Sequence, residues 1–134
     1  MNSVKQEKLP ILNSSDVVLA RQKVRQWALE MKFTLVDQTK LVTAASELAR
    51  NALEHGKGGH MVIEKVVNST KDGLRLIFED QGPGIADIDT ALRDGYTSGG
   101  GMGLGLGGSK RLVNDFHIES EPGKGTRITV VRWK

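Results

Sequence analysis

In the stretch SELARNALEH, Glu47 and Asn51 stand four positions apart, with Glu54 at the next turn. On a helix that spacing stacks a carboxylate and a carboxamide along one face. A solvated helix face has the same look, but asparagine is a poor residue for a helix interior. Its amide oxygen is a hard ligand suited to Mg²⁺, which takes one or two protein oxygens and completes its shell with phosphate and water. In EDQGPGI, Asp80 is followed by Gly82, Pro83 and Gly84. The stretch reads either as a plain β-turn or as an acceptor-only side chain at a low-bulk turn, where a flat ring bearing an amino group can approach backbone. Residues 99–108 read GGGMGLGLGG. Backbone amides unobstructed by side chains form anion-binding nests, and a helix starting near Leu104 adds a dipole that favours phosphate. In GKGT, Thr126 opens a strand after a glycine turn, its hydroxyl either incidental to the hairpin or turned towards a ligand.

Two familiar glycine motifs do not explain the tract. Gly103, Gly105 and Gly108 satisfy GxGxxG, but no strand leads directly into them and too little chain follows for a βαβ unit. GGSKR lacks the Gly-Lys-Ser/Thr of a phosphate-binding P-loop. A loose linker is disfavoured by the interleaved Met102, Leu104 and Leu106, which can anchor the tract against a core.

The elements that position these residues follow from apolar periodicity. Val4 to Leu12 suggests a strand ending near Pro10. Ser14, Ser15 and Asp16 offer caps for a helix whose stripe is Val17, Ala20, Val24, Trp27, Ala28 and Met31. A second helix is expected from Val36–Asp37 to His55, with Leu41, Ala44, Ala45, Leu48 and Ala52 inward and Gly56 as its stop. Met61 to Val67 and Leu74 to Phe78 read as a hairpin, followed by a short helix over Asp87–Leu92 and another from Leu104 to Phe116. His117 to Ser120 and Thr126 to Trp133 make a terminal hairpin. The order βααββ(α)αββ predicts an α/β two-layer sandwich, a mixed and largely antiparallel sheet with helices on one face.

Composition narrows the function classes. A chain of 134 residues, 38% hydrophobic and 26% charged, is expected to form a single domain over 1–134. With no apolar run long enough for a membrane span and no export signal at the start, a cytoplasmic, membrane-free protein is expected. The absence of cysteine removes disulfides, thiol catalysis and thiolate metal sites. Three histidines without metal-ligand spacing argue against a protein-only zinc site. The net charge of +3 is spread along the chain and only six residues are aromatic, so nucleic acid is not an expected partner.

In this order and spacing, ELARN, DQGPG, GMGLGL and GT resemble the N, G1, G2 and last glycine boxes of the GHKL nucleotide-binding superfamily, over residues 40–127. The resemblance implies ATP and Mg²⁺ as cofactors. It assigns Asn51 to the metal, Asp80 to the adenine amino group with Thr126 in support, Gly82 and Gly84 to the ring-side turn, and Gly101, Gly103, Gly105 and Leu106 to an ATP lid. The wording SELARN, DQGPGI and GLGLGGSKRLVNDFHIES is similar to the RsbT-type switch serine/threonine kinases of the bacterial stressosome, relatives of the RsbW and SpoIIAB anti-sigma kinases. That likeness implies phosphorylation of STAS-domain scaffolds of the RsbS and RsbR type, and activation of an RsbU-type phosphatase. Phosphoryl transfer asks mainly for positioning and charge neutralisation, which leaves Glu47 as the candidate base or as a group that orients water and the metal shell. His55 reads as structural or lid-facing. The competing reading is an anti-sigma factor or binding module whose nucleotide only holds a surface in shape.

Overall fold

The computed structural model describes residues 2–85, 97–98, 102–103 and 106–134. Strand β1 (Asn2–Ile11) is followed by helices α1 (Ser14–Glu30) and α2 (Leu35–Glu54) and by the hairpin β2 (Gly59–Asn68) and β3 (Lys71–Asp80). Two short strands, β4 (Thr97–Ser98) and β5 (Met102–Gly103), precede α3 (Leu106–Arg111) and the closing hairpin β6 (Asp115–Ser120) and β7 (Thr126–Trp133).

Caps set the starts of the long helices. The Asn13 side-chain oxygen accepts the Asp16 N–H at 2.9 Å, and Asp16 in turn accepts the Leu12 N–H at 2.8 Å. Thr34 accepts the Asp37 N–H at 3.2 Å, so α2 begins at Leu35, just ahead of the expected Val36–Asp37. The third long helical pattern is shorter than its periodicity suggests. It ends at Arg111, because Asp115 and Phe116 pair with Val131 and Val130 as the start of β6. The expected helix over 87–92 lies outside the described residues.

The main sheet runs β1-β2-β3-β7-β6, every neighbouring pair antiparallel. Pro10 lies in β1, an edge strand, the place in a sheet where proline is tolerated because alternate N–H groups point away from it. Alternate residues of β2, β3 and β7, among them Ile63, Leu76, Phe78 and Val130, join one core with the inward stripes of α1 and α2. Val17 and Trp27 belong to that core, and the Lys5 ammonium lies 4.4 Å from the Trp27 ring centroid. Both long helices therefore cover the same face of the sheet. On the opposite face Glu64, 4% exposed, sits across from Arg75 and is held by two hydrogen bonds of 3.0 and 3.1 Å. Burial pushes its carboxyl upwards, but the Arg75 hydrogen bonds and neighbouring charges outweigh this, and its pKa lies below the usual range. Among the described residues no helix is long and apolar enough to cross a membrane.

The largest sequence separation bridged by a side-chain ion pair described here ties α2 to β7: Arg132 donates to Asp37 at 2.6 Å and to the Leu112 carbonyl at 3.1 Å. The Arg132 hydrogen bond holds the Asp37 pKa below its ordinary 3.8. An acid with a depressed folded pKa contributes fully above its unfolded value, and that contribution is lost as pH falls through the folded one. Asp37→Asn is therefore expected to cost about 2 kcal/mol at pH 7, as for loss of a charged hydrogen bond. Urea denaturation repeated below pH 3.8 should show the gap from wild type shrinking; a pH-independent gap would contradict this account.

Candidate functional site

Asp80 is the last residue of β3, paired across the sheet with Gly59 of β2 and Thr126 of β7. Its carboxylate accepts the Gly82 N–H at 3.0 Å, which closes the turn after the strand, and also a hydrogen bond from the Thr126 backbone. The C-terminal end of α2 closes over it. There the His55 and Gly56 N–H groups share the Asn51 carbonyl at 2.9 and 3.0 Å. A Cβ at Gly56 would overlap the Asp80 carboxyl. Glycine is needed at 56 for this approach, and the left-handed residues beyond the helix are Lys57 and Gly58. Burial raises the Asp80 pKa above 3.8, opposed by the Gly82 N–H, the nearby His55 and the Thr126 N–H.

Asp80, Asn51 and Thr126 line one cleft between α2 and the sheet, with His55 beside them. Its walls are apolar: Leu48 and Ala52 from α2, Phe78 and Ile128 from the sheet, and Ile85 and Leu106 from the segments that follow the turn. Four residues singled out from the sequence, Asn51, Asp80, Leu106 and Thr126, are thus brought together from separate parts of the chain. Gly82 is buried beside Gly56, and Gly84 has φ of 77° with the Glu121 carbonyl where a Cβ would stand. Gly103 lies in β5 opposite Thr97, while Gly101 and Gly105 lie outside the described residues.

Glu47 does not line this cleft. It stands one turn before Asn51 on α2 and accepts from Arg50 at 3.2 Å, both side chains being more than a third exposed, so the pair adds little stability. Among the described residues no three His, Cys, Asp or Glu side chains gather as a metal site. Among the described residues the side-chain oxygens lining the cleft are those of Asn51, Asp80 and Thr126, too few to fill a cation's shell, so the rest would come from a ligand that carries its own oxygens. That suits Mg²⁺ held jointly with phosphates.

Sequence reading missed two contributors. His55, read from the sequence as structural or lid-facing, lines the cleft, and Ser120 bonds to Thr126, which lines it too. Ser120 Oγ accepts the Ile85 N–H at 2.8 Å and lies 2.8 Å from the Thr126 hydroxyl and 2.9 Å from the Gly125 carbonyl. The available signal was its place opposite Thr126 in the β6–β7 register, which the turn EPGKG implies once that hairpin is drawn. The apolar lining and the carboxylate suit the chemistry of a flat heteroaromatic ring with an N–H donor on its edge, and the cleft, about 20 Å³ in volume, must widen to admit one.

Residues 36–134 match the family described as histidine kinase-, DNA gyrase B-, and HSP90-like ATPase. The serine/threonine-protein kinase RsbT of Bacillus subtilis (strain 168) is 46% identical over 92% of each chain. An anti-sigma F factor of Clostridium kluyveri is 35% identical, covering 88% of this chain and 86% of its own. Among solved structures, the RsbU and RsbW domains of Rv1364c from Mycobacterium tuberculosis superpose over 98% of this chain with a TM-score of 0.64 at 19% identity, this chain spanning 33% of that longer one. The catalytic domain of the histidine kinase ThkA superposes over 98% of this chain and 99% of its own, with a TM-score of 0.54 at 15% identity. At such identities the two structures show a shared fold.

Because the Asp80 pKa is raised, its ionised form is disfavoured in the fold, and wild type should lose stability as pH rises above 3.8 relative to Asp80→Asn, which cannot ionise. Thermal melts of the two proteins from pH 3 to 8 should show the difference moving in favour of asparagine as pH rises from 3.8 through the folded pKa, and levelling off above it. A difference moving the other way would mean that the carboxylate is stabilised where it stands.

Proposed function

This chain belongs to the histidine kinase-, DNA gyrase B-, and HSP90-like ATPase family, and we propose that within it the protein is an ATP- and Mg²⁺-dependent serine/threonine protein kinase acting on STAS-domain partners of the RsbS and RsbR type. By exchanging partners it also activates an RsbU-type phosphatase in cytoplasmic stress signalling. The observation that carries the ATP reading is the convergence of Asp80, Asn51 and Thr126 on one apolar-walled cleft. The kinase reading is supported by 46% identity to a serine/threonine-protein kinase over nearly the whole of both chains.

In this reading the adenine ring lies between the apolar walls and gives an amino N–H to Asp80. Gly56 lets the end of α2 pack directly on that carboxylate, and Gly82 lets the following turn pack on Gly56. Asn51 would hold Mg²⁺ through its amide oxygen, and the bound metal would supply charge neutralisation at the phosphates. The glycine tract containing Gly101, Gly103 and Gly105 is assigned to those phosphates on the resemblance of GMGLGL to the G2 box. Glu47, one turn from Asn51, takes the proton of the incoming serine or threonine hydroxyl. That oxygen bonds to the γ-phosphorus, the bond to the bridging oxygen breaks, and ADP leaves. Glu47, partly exposed and paired among the described residues with Arg50 at 3.2 Å, has a side chain that a docked substrate can reach.

The two acidic residues should separate in a binding and turnover experiment. Glu47→Ala is expected to keep ATP affinity within about threefold while lowering phosphorylation at least ~100-fold, as for loss of a general base. Asp80→Asn should lower ATP affinity itself by about tenfold or more. Calorimetry and labelled transfer distinguish them; near-normal turnover of Glu47→Ala would remove it as the base. Incubation with γ-labelled ATP and purified STAS proteins tests the substrate class, with label expected on serine or threonine of the scaffold. The 35% identity to an anti-sigma F factor favours one other reading, capture of a sigma factor. Stable nucleotide-dependent retention of a sigma factor, with no label on STAS proteins, would decide for it.

A further inference from the structure

A hydroxyl has one proton to give and two lone pairs to receive with, so the contacts of Ser120 can be counted. Its oxygen lies 2.9 Å from the Gly125 carbonyl, which has no proton, so the Ser120 proton goes there. One lone pair receives the Ile85 N–H at 2.8 Å. The remaining contact, 2.8 Å to the Thr126 hydroxyl, must then use the proton of Thr126. Thr126 has no further hydroxyl proton, and it turns only lone pairs towards the cleft it lines. Asp80, its partner across the β3–β7 ladder, is an acceptor-only carboxylate when ionised. Two acceptors therefore stand side by side on neighbouring strands.

We propose that Ser120 is a specificity-positioning residue: by taking the Thr126 proton it makes the polar edge of the base pocket acceptor-only, so that the pocket selects a 6-aminopurine over a 6-oxopurine. An amino group has two N–H bonds and satisfies both acceptors, one at Asp80 and one at Thr126. A 6-oxo group sets its lone pairs against theirs. Without Ser120 the Thr126 proton is free to turn into the cleft and meet that oxygen. The inference rests on the ATP-site reading above and adds to it a residue that does not touch the base.

Calorimetry of ATP and inosine triphosphate, each with Mg²⁺, tests it on wild type, Ser120→Ala, Ser120→Thr and Thr126→Val. The ATP-to-inosine triphosphate affinity ratio is expected to fall roughly tenfold in Ser120→Ala, the scale of one buried hydrogen bond, and to be kept in Ser120→Thr, which restores a hydroxyl. Thr126→Val should lower the ratio similarly, and adding Ser120→Ala to it should change the ratio no further. If Ser120 merely braces the turn at Ile85, both nucleotides weaken together and the ratio stays; that result overturns the proposal, as does an unchanged ratio in Thr126→Val should Ser120→Ala not fold. Wild type binding neither nucleotide would remove the ATP-site reading and this inference with it, whereas an ATP preference insensitive to Ser120 removes the inference alone.

Discussion

The partial burial of one carboxylate, Asp80, is the constraint around which the cleft is arranged. A carboxylate at the end of a strand, pressed against the end of a helix, loses water that it must replace with hydrogen bonds. Gly82 and Thr126 supply two from backbone N–H groups. They do not fully compensate, and its pKa stays raised. The remaining acceptor capacity faces the cleft. A group kept ionised against the preference of its surroundings gains most from a ligand that brings a donor, which links a local cost in stability to affinity for an amino-bearing ring.

The sheet order makes that arrangement possible. By inserting β7 between β3 and β6, the chain sets Asp80 opposite Thr126, and Thr126 opposite Ser120. Asp80 thus forms a row at one end of the sheet with two polar residues some forty positions further along the chain. The helix α2 crosses above that row, so Asn51 faces the same cleft while the apolar side of α2 stays in the core. The Asp37–Arg132 pair fastens the other end of α2 to β7. The helix that carries the proposed metal ligand is therefore held to the sheet at both ends, by an ion pair at one and by close packing on Asp80 at the other.

Relatives that share this fold at 15–19% identity illustrate how little of the surface the fold specifies. What the cleft binds is a matter of a few acceptors and the space left by glycines. In the proposed reading, what the protein acts on depends on groups outside the cleft, of which Glu47, partly exposed on α2, is one.

Much of this was readable in the sequence because it depends on local rules. Helical spacing in 14–31 and 41–52, alternation in the two hairpins, and the order of the four motifs identified the layers and four of the cleft residues. Capping by Thr34 and the strand pairing of Phe116 moved two boundaries, since a hydroxyl bond and a neighbouring strand override periodicity at the ends of elements. Gly56 was read as a helix stop, although its reason is the Asp80 carboxyl, a neighbour 24 positions away in the sequence. Ser120 carried no sequence signal of its own, because a serine at a strand end is ordinary until the strand opposite it is known. Periodicity and residue type are properties of neighbours along the chain, and they determined the elements and the kinds of group available. Which polar atoms share a proton, and which face a cleft, depends on strand order and register, and only the tertiary structure decides those.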